Sequence, residues 1–250
     1  MVCTKRQGGF KMFPLVYYSH TDYSDVWPLM FGQVDKYFPT HQKYLFSDNA
    51  TADLEKPNWT LIRYDDDLKY QQRMVHCLRQ VPEEVILFHH EDMFLYEVPL
   101  YQNLNEIADS IKGGEIDIVK LICASYQKVT FRNITKLSYV FENPLNLKFA
   151  IQPSLCNKKA LEMVYDKTGG DTIWQFEEYA TQTCSYFNVK TAMTYLPQDQ
   201  KRGAFHWDST VYPYFATAIV KGKWNFTDYE ASLKALLEEK KIDYSIRGVV

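Results

Sequence analysis

Short apolar runs alternate with amphipathic helical patterns through the first half of this chain, and this order restricts its fold more than any other feature. Five runs rich in β-branched and aromatic residues predict strands: Met12–Ser19, Lys43–Ser47, Trp59–Tyr64, the apolar start of Val85–Phe94, and Ile116–Cys123. Segments with apolar residues at helical spacing separate several of them: Tyr23–Phe38, Leu68–Arg79 and Val98–Ile111. Strands joined through helices form parallel sheets with right-handed crossovers. The sequence therefore predicts an α/β fold with a mixed, mostly parallel sheet flanked by helices.

The rhythm changes after Ala124. Apolar and polar residues alternate over Lys128–Phe141, which predicts hairpins, and two helices follow at Asn157–Tyr165 and Thr172–Tyr186. A T-x-x-E pair, Thr227 and Glu230, predicts a capping box at the start of the last helix. A chain of 250 residues can bury its core as one domain, and we expect a single domain over 1–250.

Composition excludes several function classes. The net charge is −3 with both signs interspersed, which argues against a nucleic-acid partner or an anionic membrane surface. No apolar stretch approaches the roughly 20 residues of a transmembrane helix, and the basic start of the chain lacks the apolar region of a signal peptide. The five widely spaced cysteines form no C-x-x-C pair, so neither a disulfide framework nor a cysteine zinc site is predicted. We expect a soluble, cytoplasmic protein.

The strongest chemical signal is the stretch VILFHHEDMF, where a buried strand ends in His89, His90, Glu91 and Asp92. Open α/β sheets bind ligands at the carboxyl ends of their strands. If the strand continued, His90 and Asp92 would share one side and Glu91 would point away, whereas in a turn all three could converge. One or two carboxylates together with substrate phosphates commonly bind Mg²⁺ or Mn²⁺. The alternative is that these acids only cap the following turn.

Three consecutive carboxylates follow the third predicted strand, at Asp65–Asp67. They resemble a metal site, but the position favours a structural role in which Asp65 or Asp66 caps the next helix. Arg73 lies beside the apolar face of that helix. It is either an ordinary solvated arginine or a guanidinium that reaches a phosphate.

Taken together, several motifs resemble a family of small glycosyltransferases with the GT-A fold, found in bacterial polysaccharide clusters and large DNA viruses. They are YYSHTDYSDVWP, HHEDMFL, FAIQPSLCNKKALEMV, TIWQFEEYA, KGKW and a terminal RG. The likeness covers nearly the whole chain through the order and spacing of the motifs. It implies a GT-A-like (Rossmann-like) domain in which residues 1–124 bind the nucleotide-sugar and metal, and residues 125–250 bind the acceptor and supply the catalytic base.

The resemblance also implies a role for individual residues on the donor side. The segment His90-Glu91-Asp92 occupies the place of the family's D-x-D-type motif, with His90 where the family has aspartate. By this likeness Asp92 binds the divalent cation, Mn²⁺ or Mg²⁺, while His90 and Glu91 contact the nucleotide-sugar. Further donor contacts are implied for Ser19, Tyr70 and Arg73.

On the acceptor side, the likeness implies that Glu177 in the W-x-F-E-like segment is the general base, ahead of its neighbour Glu178. Trp174 and Phe176 are candidates for an acceptor platform or for an ordinary core pair. The implied reaction is inverting transfer of a sugar from a nucleotide-diphosphate-sugar to a glycan or another hydroxyl acceptor. The alternatives are a metal-dependent phosphoryl or nucleotidyl transferase or hydrolase, and a non-catalytic nucleotide- or carbohydrate-binding module.

Overall fold

An eight-stranded sheet runs through the computed structural model, which describes residues 13–124, 131–202 and 206–250. Its strands are β1 (Leu15–Tyr18), β2 (Lys43–Asp48), β3 (Trp59–Tyr64), β4 (Val85–His90), β5 (Ile118–Lys120), β6 (Val140–Glu142), β7 (Ser154–Asn157) and β8 (Thr191–Thr194). The spatial order is β3-β2-β1-β4-β7-β5-β8-β6. The first four strands are parallel, as are β5 and β8. The predicted mixed, mostly parallel α/β sheet is confirmed.

Two strands run against this direction. β7 pairs antiparallel with both β4 and β5, and β6 pairs antiparallel with β8. Of the predicted hairpin region the structure describes residues 131–141, in which Asn133 and Phe141 form an isolated antiparallel bridge; residues 128–130 lie outside the described ranges. The strand predicted over Ile116–Cys123 is shorter, since only β5 pairs within it.

Six α-helices occur in the described residues: α1 (Trp27–Tyr37), α2 (Tyr70–Leu78), α3 (Tyr101–Lys112), α4 (Lys158–Lys167), α5 (Ile173–Tyr186) and α6 (Phe226–Glu239). Two-residue strands form two small ladders before α6: β9 (Lys201–Arg202) with β10 (His206–Trp207), and β11 (Ile219–Val220) with β12 (Lys223–Trp224).

Two predicted helix caps are wrong. Helix α2 begins after Lys69 and is not capped by Asp65 or Asp66, because the Asp65 carboxylate instead accepts the backbone N–H of Asp67 at 3.0 Å and forms a separate turn. Helix α6 is capped by Asn225, whose side-chain oxygen accepts the backbone N–H of Asp228 at 3.1 Å. The chain leaves β12 at Trp224, so the helix starts before the predicted T-x-x-E box.

Successive side chains of β1 point to opposite faces of the sheet and meet different helices. Tyr17 stacks on His89 at 4.4 Å between ring centroids, on the side where Trp59 contacts Phe31 of α1. Tyr18 faces the other side, where it contacts Tyr70 of α2 at 5.2 Å. Helices α4 and α5 share that second face through ring contacts with α2.

A second apolar cluster lies where α6 packs against the start of α1 and the β11–β12 ladder. It includes Val26, Phe94, Phe215, Trp224 and Leu233, all buried. The four cysteines in the described ranges are free and buried. Within the described ranges, every helix is too short or too polar to cross a membrane.

Asp48, the last residue of β2, forms hydrogen bonds that connect two loops to the sheet. Its carboxylate accepts hydrogen bonds from the backbone N–H and the hydroxyl of Thr21 at 2.9 and 2.7 Å, and from the hydroxyls of Ser47 and Thr51 at 3.0 and 3.1 Å. Burial by itself would raise the pKa of Asp48, but these hydrogen bonds lower it to about 2. The charged carboxylate therefore stabilises the fold.

We expect Asp48→Asn to lower the free energy of unfolding by about 1–2 kcal/mol at pH 6, because an amide accepts these hydrogen bonds less strongly. The folded-state pKa lies below the ordinary value of 3.8, so the stabilisation is complete above about pH 4 and is lost as the pH falls towards 2. Urea denaturation at pH 6 and pH 3 measures both effects. The control is Asp53→Asn, which alters an exposed carboxylate paired with Arg63; equal losses in the two variants would contradict the assignment.

Candidate functional site

A cavity of about 960 Å³ opens at the carboxyl ends of β1 and β4. Its lining from the first half of the chain consists of Tyr18, His20, Tyr23, Lys69, Tyr70, Gln71, His90, Glu91, Asp92, Met93 and Ala124. Its lining from the second half consists of Leu147, Ala150, Ile151, Gln152, Gly170, Asp171, Thr172, Ile173, Trp174, Phe176, Glu177, Thr217 and Ile219. Both halves therefore form this cavity, at the edge of the sheet where a ligand was predicted.

The antiparallel direction of β7 explains how the second half reaches this edge. Phe88, near the carboxyl end of β4, is paired with Ser154, the first residue of β7. The residues just before β7, Ala150–Gln152, therefore lie beside the residues just after β4. A parallel strand would place its amino end at the opposite edge.

His90, Glu91 and Asp92 all line the cavity. The strand ends at His90, and Glu91 and Asp92 form a turn, so the alternation of a continuing strand does not separate them. His89 points to the opposite face, where it is fully buried and lies 2.5 Å from the hydroxyl of Tyr212. Of the two predicted arrangements, the structure has the one in which the three side chains converge.

The carboxyl groups of Glu91 and Asp92 are poorly solvated. Burial, and then the charge of Asp92, raise the pKa of Glu91 well above its ordinary value. Burial raises the pKa of Asp92 to about 6, although the backbone amides of Asp92 and Ile219 favour its charged form. Because burial destabilises the charged forms of both carboxylates, a nearby positive charge would stabilise them.

His90 belongs to an aromatic hydrogen-bonded group. Its Nε2 lies 3.0 Å from the hydroxyl of Tyr70, which in turn lies 3.1 Å from the hydroxyl of Tyr165. Burial lowers the pKa of His90 to about 4, so its ring is neutral near pH 7. This neutral ring contributes a hydrogen-bonding group to the cavity wall, where the resembled motif has a carboxylate.

Glu177 reaches the cavity from α5, whose start is capped by Thr172 through its hydroxyl. One carboxylate oxygen, Oε1, accepts the backbone N–H of Ile151 at 2.6 Å, and no described residue donates to Oε2. Burial raises the pKa of Glu177, while the Ile151 N–H and the positive charge of Lys120 act in the opposite direction. The neighbouring Glu178 is exposed and does not line the cavity.

Two other predicted donor contacts do not line this cavity. The hydroxyl of Ser19 is buried and accepts the indole N–H of Trp27 at 2.7 Å. Arg73 donates to the backbone carbonyl of Leu68 at 2.8 Å and lies 3.3 Å from the carboxylate of Asp66. Tyr70, His90, Glu91, Asp92 and Glu177 all line the cavity, whereas Ser19 and Arg73 do not.

A second group of ligand-type side chains lies nearby, at His20, Asp48 and Asp66, with one ligand atom from each within 4.8 Å of the others. Asp48 already accepts four hydrogen bonds from protein groups. A cation there would compete with those donors. The acidic triplet Asp65–Asp67 therefore contributes one carboxylate, that of Asp66, to this group of ligand-type side chains.

Arg247, near the end of the sequence, influences the turn formed by Glu91 and Asp92, which we call the carboxylate turn. Its guanidinium forms two hydrogen bonds of 2.6 Å to Asp25 and lies over the ring of Tyr23, at 5.0 Å from the centroid. Its positive charge lowers the pKa of both Glu91 and Asp92. The only sequence signal for this residue was its place in the terminal RG motif.

Comparisons with known proteins assign this chain to no family. No family model and no curated protein matches this chain. Among solved structures, S. aureus TarS 1–349 matches over 94% of this chain and 68% of its own, with 12% identity and a TM-score of 0.49. A nucleotidyl transferase from Methanothermobacter thermautotroptrophicus matches over 75% and 89%, with 11% identity and a TM-score of 0.47. The galactosyltransferase LgtC, in complex with donor and acceptor sugar analogues, matches over 72% and 73%, with 12% identity and a TM-score of 0.45. These values are too low to indicate a shared activity.

Proposed function

We propose that this protein is a glycosyltransferase that moves a sugar from a nucleotide-diphosphate-sugar to a hydroxyl acceptor with inversion at the anomeric carbon. The observation that supports this most is the shared cavity. The carboxylate turn Glu91–Asp92 lines it from the first half, and the half-buried carboxylate of Glu177 lines it from the second. This arrangement supplies both a donor end and a base, as the resemblance of the sequence to GT-A glycosyltransferases implies.

The donor set at the turn fits a divalent cation. Asp92 would bind Mn²⁺ or Mg²⁺, and Glu91 would contact the sugar or ribose of the donor. Both carboxylates are hard oxygen ligands, and burial makes their charge costly unless a cation compensates it. When bound, the cation would stabilise the negative charge that develops on the departing diphosphate. Tyr70 and His90 would form the wall that orients the donor. Ser19 and Arg73 do not line the cavity and would act only indirectly, through Tyr18, which precedes Ser19 and whose hydroxyl lies 3.5 Å from Arg73.

Glu177 would act as the general base. Its Oε2 would accept the proton of the acceptor hydroxyl while the acceptor oxygen forms a bond to the anomeric carbon. The bond from that carbon to the donor phosphate oxygen breaks, and its electron pair leaves with the nucleotide diphosphate. The hydrogen bond from Ile151 to Oε1 fixes the orientation of the carboxylate. A raised pKa makes Glu177 a stronger base while it remains ionised.

Glu177→Gln should reduce transfer by about 10²–10⁴-fold, because the amide cannot accept the proton. Donor binding should be unchanged, since the substitution is isosteric and Glu177 is assigned to the acceptor. The measurements are single-turnover transfer from a nucleotide-sugar and a thermal-shift titration with the same donor. Glu178→Gln is the matched control, one residue along the same helix and exposed. Unchanged turnover in Glu177→Gln would reject Glu177 as the base.

Asp92→Asn should abolish the Mn²⁺-dependent part of donor binding. Ligands that bind the folded state raise its apparent stability, so thermal shifts with UDP-, GDP- and dTDP-sugars, with and without Mn²⁺, measure this directly. Asp66→Asn tests the second candidate metal site in the same assay. If Asp66→Asn loses the Mn²⁺ effect and Asp92→Asn retains it, the cation site is at His20, Asp48 and Asp66 instead.

Lys120 adjusts the charge state of Glu177. It is almost completely buried on β5, where its Nζ donates to the carbonyl of Leu147 at 2.7 Å. Lys120→Met removes the positive charge that favours ionised Glu177, so the pKa of Glu177 should rise. The acidic limb of the transfer rate would then move to higher pH. Carbon-13 NMR titration of the Glu177 carboxyl, assigned with Glu177→Gln, measures the shift. Lys148→Met is the control, and an equal shift in both variants would contradict the assignment.

A further inference from the structure

Trp174 lies at the rim of the cavity with 77% of its surface exposed. The other tryptophans are different: Trp59 and Trp224 are buried, and Trp27 and Trp207 are half-buried. Within the described ranges, the indole of Trp174 makes no hydrogen bond and no ring contact. A large aromatic side chain left exposed at a cavity is typical of a binding surface.

Trp174 is close to the proposed base Glu177 on the same helix. Both residues are on α5, three positions apart, and residues at this spacing are neighbours on a helix surface, with about 5–6 Å between Cβ atoms. Trp174 therefore starts from the same side of α5 as Glu177, which carries the carboxylate that would accept the acceptor's proton, and both side chains line the cavity. A molecule resting on the indole would present its edge to Glu177.

The second aromatic candidate, Phe176, does not share this surface. It is only 1% exposed, and its ring stacks on Tyr165 at 4.8 Å with an interplanar angle of 13°. The sequence left open whether Trp174 and Phe176 form a platform or a core pair. In the structure Phe176 packs in the core and contributes only its small exposed part to the cavity lining, whereas Trp174 presents most of its surface to a ligand.

The surroundings of Trp174 favour an uncharged ligand. The lining includes the apolar residues Ile173, which precedes Trp174 in the chain, and Ile151, and the charged residues Lys69 and Asp171 pair with each other at 3.0 Å. A pyranose ring matches these properties, because it has an apolar face of C–H groups and a rim of hydroxyls. An aromatic ring packs against the C–H face, and a carboxylate accepts a hydrogen bond from a hydroxyl of the rim.

We propose that Trp174 is the acceptor platform of the cavity: a neutral pyranose stacks on its indole and directs one hydroxyl towards Glu177. This assignment rests on the proposed glycosyltransferase activity and names its acceptor class. It predicts that Trp174 determines acceptor binding and leaves donor binding unchanged.

Saturation-transfer NMR with the full-length protein tests this, using methyl α- and β-pyranosides of glucose, galactose, mannose and N-acetylglucosamine without any donor. Saturation should pass from the wild type to at least one sugar, fall about tenfold in Trp174→Ala, and be partly retained in Trp174→Phe. Tyr186→Ala is the matched control, since Tyr186 is 81% exposed at the far end of the same helix and does not line the cavity. Sugar binding equal in Trp174→Ala and wild type, or absent from the wild type, would overturn the proposal.

A donor-side measurement separates this proposal from the transferase assignment. Nucleotide-sugar thermal shifts should be the same in Trp174→Ala and wild type. Loss of sugar binding in Trp174→Ala, together with no stabilisation of the wild type by any nucleotide-sugar, would retain the sugar platform and reject the transferase. Donor stabilisation with unchanged sugar binding in Trp174→Ala would retain the donor site and reject the platform.

Discussion

The pairing of β4 with β7 determines the position of the second half of the cavity. β4 is the last of four parallel strands whose carboxyl ends lie at one edge, and its polar continuation forms the carboxylate turn. Because β7 runs in the opposite direction, the chain enters it from that same edge. Ile151, which fixes the Glu177 carboxylate, lies in this entering segment. One antiparallel ladder thus brings the backbone of the second half next to the Glu91–Asp92 turn.

Burial of charge is the main energetic cost of this arrangement. Glu91 and Asp92 are adjacent and desolvated, so each raises the cost of ionising the other. The protein offsets part of this cost with Arg247, whose own charge is shared with Asp25. A cation together with donor phosphates would complete the compensation, which is the usual way that Mg²⁺ or Mn²⁺ is bound between a protein and a nucleotide.

Much of the sheet could be predicted because its signals are local. β2 and β3 match their apolar runs closely, and the alternation of strand and helix determined the parallel part of the sheet. β7 was not predicted, since strand direction depends on a partner far away in the sequence. The cap at Asp65–Asp66 was wrong for a local reason, as the Asp65–Asp67 contact closes a turn before the helix begins. The family resemblance implied that Glu177 and Asp92 belong to one site, whereas no periodic pattern in the sequence predicted it.

The turn before α5 connects this helix to α2 on the other side of the cavity. Gly170 has φ +123°, and a Cβ there would lie 2.9 Å from the backbone nitrogen of Phe176, so the turn into the helix is closed in a way that only glycine permits. The carbonyl of Gly170 accepts a hydrogen bond from Gln71 at 3.0 Å, and Asp171 pairs with Lys69. Both contacts are to the start of α2, the helix that also places Tyr70 in the cavity wall. They therefore connect the part of α2 that carries Tyr70 directly to the turn before α5, the helix whose residues Trp174, Phe176 and Glu177 line the same cavity.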